Sequence, residues 1–312
     1  MFDKAAIIFF YTETPLHAGS GTSLGIVDLP IQRERSTGYP MIQASGLKGC
    51  LRDAVGNGSS EVAIVFGPDT DRASEHAGAL SVGDGRILLF PVRSLMGVFA
   101  WVTSQNVLAR FKREAEMAGL FISWNPIGPT SNDSAFLAPG SCLVADEKIV
   151  LEEFAFKAEK REEVKNIAGW LKEHALSEDD EYGYWRDSLE KRLVILPEDA
   201  FRDFVMLSTE VIARVRIDDS TKTVAQGALW TEEHLPSDTL LYATVFASKP
   251  RVAKAPEELE KEKLKNAGAI LDFIRQNVNG KRLQLGGDTT VGRGIVKVRI
   301  TCEETSKSVT QS

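Results

Sequence analysis

Gly286-Gly287-Asp288-Thr289-Thr290-Val291-Gly292-Arg293-Gly294 decides how this chain is read. A hairpin turn needs one or two glycines, whereas this stretch has four, with two threonines and an arginine. It lies between predicted strands over 281–285 and 295–300. Glycines let backbone N–H groups approach a phosphate chain closely, and hydroxyl and guanidinium groups add charge-assisted bonds. The pattern Gly-Gly-x-x-Thr-x-Gly-x-Gly therefore points to a phosphate chain. A second glycine-rich loop, His17-Ala18-Gly19-Ser20-Gly21-Thr22-Ser23-Leu24-Gly25, follows the first predicted strand, 6–14. Its glycines are spaced one residue too wide for a dinucleotide fingerprint, and it leads into an extended segment, 26–34, instead of a helix. Gly46-Leu47-Lys48-Gly49 lacks the flanking residues of a Walker loop. Nucleotide binding is excluded on both counts.

Working outward, the sequence predicts a helix over 46–55 capped by Ser45, although its two glycines cost about 1 kcal/mol each. A hairpin is expected over 79–82 and 86–92 around Gly83-Asp84-Gly85. Ser104 caps a helix that runs to Ala118, with Val107, Leu108 and Phe111 on one face and Gly119 as its stop. Residues 120–150 read as loop, and 176–187 as a charged loop between helices over 162–175 and 198–206. A strand over 210–217 turns at Asp218-Asp219-Ser220 into a return arm over 221–231. A strand over 240–248 and a helix over 256–278, with Leu259, Leu264, Ile270, Phe273 and Ile274 inward, complete the pattern. Strands at both ends, helices between them and no regular βαβα alternation give an α+β class. Ferredoxin-like βαββαβ modules with long insertions fit the element order.

Composition sets the outer bounds. The 312 residues are 43% hydrophobic and 26% charged, which excludes disordered and fibrous classes. The longest apolar run, from Ala5 to Tyr11, has seven residues, against about 20 for a membrane span. Met1-Phe2-Asp3-Lys4 leads straight into a strand with no targeting leader, so a cytoplasmic protein is expected. Cys50, Cys142 and Cys302 are far apart, which argues for buried free thiols and against a disulfide framework or a structural zinc. The net charge of -7 speaks against wholesale nucleic-acid binding. Charge is uneven, however: 151–190 hold 12 acidic and 6 basic residues, while 281–299 set Lys281, Arg282, Arg293, Lys297 and Arg299 against Asp288 alone.

In these motifs the chain resembles the RAMP proteins (repeat-associated mysterious proteins) of CRISPR systems. The glycine-rich loop over 286–294 is similar to their C-terminal mark. Thr14-Pro15-Leu16-His17-Ala18-Gly19-Ser20-Gly21 resembles their N-terminal signature, and Ser45-Gly46-Leu47-Lys48-Gly49-Cys50-Leu51-Arg52-Asp53 that of their first helix. More narrowly, Val27-Asp28-Leu29-Pro30-Ile31-Gln32-Arg33-Glu34, Phe90-Pro91-Val92-Arg93-Ser94-Leu95 with Gly97-Val98-Phe99-Ala100-Trp101, and 219–227 look like the backbone subunit of the type III-B (Cmr) effector complex. The resemblance runs in family order from residue 6 to about 300. It implies one elaborated domain: an RRM-like palm (about 1–60, 79–120 and 240–300), a helical finger-like insertion (about 120–208) and a β-hairpin thumb (about 210–235). Copies would stack along a guide RNA (crRNA) beside other Cmr subunits and away from membranes. Each thumb, with Lys222, Val224 and Gln226, would push a base pair out of the guide–target duplex, leaving sequence reading to base pairing.

Lys48 and Arg52 are four apart on one helix face and are expected to bind successive guide phosphates with Gly286, Gly287, Thr290, Gly292 and Arg293. Asp28 lies in an otherwise apolar segment without a local cation, which puts its carboxylate on an exposed loop. The resemblance gives it the role of cleaving target single-stranded RNA. RNA carries its own nucleophile, the 2′-hydroxyl, so one carboxylate holding a divalent metal, magnesium or manganese, would suffice and would leave 2′,3′-cyclic phosphates. His17 is a weaker acid–base candidate, and Glu232 and Glu233 are candidates for a second carboxylate. Two rivals stay open: a catalytically inert crRNA-binding backbone, and a stand-alone endonuclease that processes precursor crRNA.

Overall fold

The apolar run Ala6-Ile7-Ile8-Phe9-Phe10-Tyr11 lies in strand β1 (Lys4–Thr12), and Ile7 through Phe10 are wholly buried. Successive side chains of a strand point to opposite faces, so an unbroken apolar run requires both faces to be covered. The computed structural model describes residues 2–56, 58–252 and 263–302. After β1 come β2 (Met41–Ile42), α1 (Ala44–Val55), α2 (Ser60–Phe66), β3 (Leu80–Val82), β4 (Gly85–Ser94), β5 (Val98–Ser104) and α3 (Gln105–Met117). The middle of the chain forms β6 (Ser134–Leu137), β7 (Lys148–Leu151), β8 (Phe154–Lys160), α4 (Glu162–His174), α5 (Gly183–Arg192), β9 (Leu193–Leu196) and α6 (Glu198–Leu207). The chain continues with β10 (Glu210–Ile217), β11 (Val224–His234), β12 (Leu240–Ala247), α7 (Ala267–Val278), β13 (Arg282–Gln284) and β14 (Ile295–Thr301).

The first sheet runs β13-β14-β1-β12-β4, with β3 also on β12. Its neighbours β14-β1-β12-β4 are the fourth, first, third and second strands of a βαββαβ unit, all antiparallel, with α1 and α7 as the two helices. That is the ferredoxin-like order, and 95–239 are inserted between its second and third strands. The distal half of β4 leaves this sheet and joins a ring, β4-β5-β9-β6-β8-β7, closed by Ser94 opposite Leu151. Closure leaves no open edge for unwanted pairing. The insertion thus contributes strands as well as helices. Helix α3 fills the seam: Phe111 is wholly buried and packs on Phe9, Tyr242, Trp124 and Trp170.

Several local expectations hold. Ser104 accepts from the Val107 amide at the start of α3, and Gly119 takes a positive φ just after its end. Others fail for long-range reasons. The expected hairpin over 79–92 is one strand broken at Gly83-Asp84, since β3 and β4 both pair with β12. The true hairpin is β4–β5, which turns at Gly97. The stretch 120–150, expected to be loop, holds β6 and β7, whose partners β8 and β9 come later in the chain. Likewise α5 begins inside the expected 176–187 loop, and α1 starts at Ala44 with no side-chain cap. Cys142 is exposed, against the expectation of buried thiols, and all three cysteines are free. The first part of the expected 256–278 helix, with Leu259, lies outside the described residues, while Ile270 and Ile274 of α7 are buried. Among the described residues no helix is long and apolar enough to cross a membrane.

Charge segregation in the sequence is a docking contact in the fold. Arg282 donates to Glu13 at 2.6 Å and to Glu181 at 2.7 Å. Lys297, only 5% exposed, pairs with Asp179 at 2.6 Å, and Arg299 pairs with Glu178. The acidic segment over 178–181 therefore neutralises the basic strands β13 and β14. Bonds from Arg299 and Lys297 hold the Glu178 and Asp179 carboxyls below their usual range. At Glu13 burial pushes upward, but bonds from Arg282 and Tyr182 outweigh it and the net shift is down.

Depressed carboxyl pKa values stabilise the folded state above the ordinary carboxylate range, and the contribution is lost as pH falls through the folded values. Unfolding midpoints should therefore hold steady at neutral pH and drop on the acid side of about pH 4. Replacing Arg299 and Lys297 with Met should lower the neutral-pH midpoint and flatten that acid limb, as followed by tryptophan fluorescence.

Candidate functional site

Strands β10 and β11 form a two-stranded sheet of their own. Their register puts Glu210, Ile212, Arg214, Trp230, Glu232 and His234 on one face and Val211, Ala213, Val215, Leu229, Thr231 and Glu233 on the other. The outer edge of β11 is not free. Leu29 pairs with it in parallel beside Glu232, and Leu16 pairs antiparallel with Leu235. Both ends of the first glycine-rich loop are thus hung on one strand.

Asp28 is set by this pairing. Its Oδ2 accepts from the Thr231 amide at 2.7 Å and from the Thr231 hydroxyl at 2.9 Å. The same hydroxyl accepts from the Asp28 amide at 3.0 Å. The carboxylate is exposed, and the backbone and hydroxyl bonds from Thr231 hold it below the usual carboxyl range. Among the described residues Oδ1 has no partner. His17, two rungs further along β11, bonds through Nδ1 to the Glu233 carbonyl at 2.7 Å. That carbonyl only accepts, so Nδ1 donates to it and Nε2 is the ring nitrogen left open.

Glu232 and Glu233 do not give Asp28 a second carboxylate. Glu233 is buried and saturated: it accepts from Arg33 at 2.5 Å, the Thr209 hydroxyl at 2.7 Å and the Ile31 amide at 3.0 Å. It ties the Asp28 loop to the hairpin base. Glu232 points to the opposite face from Thr231, where it accepts from Arg214 at 2.8 Å and from Trp230 at 2.7 Å.

On that face Glu232, His234 and Asp288 bring ligand-type atoms within 4.8 Å of one another. Arg214 already stands among them, 2.8 Å from Glu232 and 3.4 Å from Asp288, and His234 donates to Asp288 at 3.2 Å. Burial, reinforced by His17 and Arg293 charge and opposed by Asp288, lowers the His234 pKa and keeps the ring neutral. At Asp288 burial pushes upward, but the His234 bond and Arg214 charge outweigh it. The guanidinium occupies the place a cation would take, so this group does not fit a metal. The open Oδ1 of Asp28 fits one better, because magnesium-like ions bind through one or two carboxylates plus substrate phosphates.

The two glycine-rich loops meet at His17. Gly286 has φ 73°, and a Cβ there would lie 2.2 Å from the His17 carbonyl oxygen. Only glycine tolerates both conditions. The Gly287 amide donates to that carbonyl at 2.9 Å, and the Gly294 amide to Pro15 at 2.8 Å. The amides of Val291, Gly292 and Arg293 also bond within the loop. Much of the expected amide cradle is therefore spent on holding the loops together, while Thr290 and Gly292 remain exposed. Arg293 lies 3.7 Å from Glu210 of the hairpin. Lys48 is half-buried and has no ion-pair partner among the described residues, and burial with the Arg52 charge lowers its pKa. Arg52 turns inward to Gly67 at 3.0 Å and Asp69 at 2.5 Å, so the expected phosphate pair is split. At the hairpin tip Lys222 has φ 56° and Val224 is exposed, while the side chain of Gln226 lies outside what is described.

Sequence reasoning passed over Arg214, Thr231 and His234. A signal existed for the last: Glu232 and His234 are two apart in a strand, hence on one face. Thr231 had none, because its partner lies 203 residues away.

A ferredoxin-like sheet, paired glycine-rich loops at its edge and a separate hairpin together define the architecture. The chain belongs to the RAMP superfamily, whose family model matches residues 9–297. It is 43% identical over 302 residues to the CRISPR system Cmr endoribonuclease Cmr4 of Pyrococcus furiosus, covering 95% of this chain and 96% of that protein. It is 28% identical over 317 residues to the CMR subunit Cmr4 of Saccharolobus solfataricus, covering 93% and 94%. The crystal structure of oligomeric Cmr4 from Pyrococcus furiosus superposes with a TM-score of 0.71 at 34% identity, covering 96% of this chain and 98% of that one.

Proposed function

We propose that this chain is the repeating backbone subunit of a CRISPR type III-B (Cmr) effector complex. It binds crRNA and cleaves complementary single-stranded target RNA at regular intervals in the cytoplasm. Its similarity to a Cmr endoribonuclease and to an oligomeric relative supports both halves of the reading. The observation that carries the cleavage is the Asp28 carboxylate: exposed, ionised and pinned through Oδ2, with Oδ1 open.

In this reading the ferredoxin-like sheet is the palm and the β10–β11 hairpin the thumb. Lys48 and the exposed surface of the 286–294 loop hold guide phosphates. The target lies across the Asp28 loop. There Oδ1 of Asp28 accepts the hydrogen of a 2′-hydroxyl, which orients that oxygen on the adjacent phosphorus and eases its deprotonation. The P–O5′ bond breaks as the O2′–P bond forms; the 2′-hydroxyl proton leaves through Oδ1 of Asp28 and a proton from solvent water goes to the departing O5′, so the products are a 2′,3′-cyclic phosphate and a 5′-hydroxyl. A magnesium or manganese ion held by Asp28 and RNA phosphates would supply charge stabilisation at the phosphorane oxygens. His17 presents Nε2 as an acid–base group.

Asp28→Asn keeps the size and removes the charge. Target cleavage by the assembled complex should fall about 100-fold or more while target affinity stays unchanged. Wild-type cleavage would favour the inert-backbone alternative, and loss of assembly together with cleavage would make Asp28 structural. Lys48→Ala should weaken binding of every guide sequence alike and reduce the slope of log affinity against log salt by about 0.7, one single-strand phosphate contact. Arg52→Ala should leave that slope near wild type and lower the unfolding midpoint, because its charge is spent on Asp69.

A further inference from the structure

We propose that Thr231 is the positioning residue for the Asp28 carboxylate, deciding which of its oxygens faces the RNA; this rests on the reading of Asp28 as the cleavage residue. The loop that carries Asp28 gains little from packing. Leu24 and Ile26 are fully exposed, and the neighbouring residues from Ser20 to Gly25 are exposed. Its fixed points are polar: Ser20 to Pro30 at 3.0 Å, Ser23 to the Asp28 carbonyl at 2.8 Å, and the bonds of Asp28 and Leu29 to Thr231.

Thr231 makes a closed exchange with Asp28. Its hydroxyl accepts from the Asp28 amide at 3.0 Å and donates to Oδ2 at 2.9 Å, which fixes the hydroxyl rotor. Its amide donates to the same Oδ2 at 2.7 Å, and its carbonyl accepts from Leu29 at 3.0 Å. Two donors on one carboxylate oxygen stop rotation about the Cβ–Cγ bond and leave the other oxygen outward. An exposed aspartate on an unpacked loop would otherwise sample several rotamers, and a misplacement of about 1 Å at a reacting group costs on the order of 100-fold in rate. Backbone pairing alone would keep the loop on β11 without fixing the carboxylate. That task needs a hydroxyl, able to accept and donate at once.

The test uses the assembled complex with guide and complementary RNA. Thr231→Val matches the shape and strand preference of threonine without its hydroxyl. It should lower the single-turnover cleavage rate about 10- to 100-fold, the usual cost of losing a group that orients a reactive one. Target affinity should stay unchanged, and hydrogen–deuterium exchange at the Asp28 amide should speed up. Thr231→Ser should restore both slow exchange and cleavage, and Thr231→Ala should behave like Val. Wild-type cleavage by the Val variant despite faster exchange would overturn the proposal. So would equal losses in Val and Ser, which would make Thr231 a packing residue. Asp28→Asn in the same assay separates the levels: if it too cleaves at the wild-type rate, the reading of Asp28 has failed and takes this one with it.

Discussion

The outer edge of β11 holds this site together. A strand edge offers amides and carbonyls in a fixed order, and here both ends of the first glycine-rich loop use them: Leu16 beside Leu235, Leu29 beside Glu232. Asp28 and His17 hang on Thr231 and Glu233, two residues apart, so the strand repeat of about 6.6 Å spaces the two titratable groups. The other edge of β11 belongs to β10 and carries the chain out to the hairpin tip. The hairpin tip is therefore tied through one strand to the Asp28 loop.

The same strand ties the hairpin to the second glycine-rich loop through its other face. His234 and Arg214 meet Asp288, and Glu210 meets Arg293. Gly286 and Gly287 close against the His17 carbonyl. Palm edge, hairpin and both loops share one polar junction, in which the Arg214 guanidinium and a buried neutral histidine hydrogen-bond to the Glu232 and Asp288 carboxylates. Removing one partner would strand a buried charge, which is far costlier than losing an exposed ion pair. A rigid junction suits a subunit that must present the same geometry in every copy.

Much of the fold was legible because its signals are local. The apolar run of β1, the Ser104 cap of α3, the α4 stripe and the four-glycine loop all report on their own neighbourhoods. The site was half legible. Asp28 stood out as a carboxylate without a cation, and it is exposed as that reasoning required. The failures share one cause. Arg52 was assigned to phosphate but meets Asp69; the basic run through Arg282, Lys297 and Arg299 meets acidic side chains from 13 and 178–181; Glu233 meets Arg33, 200 residues away. A charge in sequence does not reveal whether folding will spend it. The total of -7 had the same ambiguity, since the acidic segment neutralises one basic surface and leaves Lys48 unpaired among the described residues.

The central claim is that each copy cuts once, at an offset fixed by β11 between its hairpin and its Asp28 loop. Mapping the cleavage sites to single-nucleotide resolution, on a target fully complementary to the guide in the reconstituted complex, tests it most directly. The account predicts evenly spaced cuts, one per copy, each leaving a 2′,3′-cyclic phosphate and a 5′-hydroxyl. A single cut regardless of copy number, irregular spacing, or 5′-phosphate ends would contradict it.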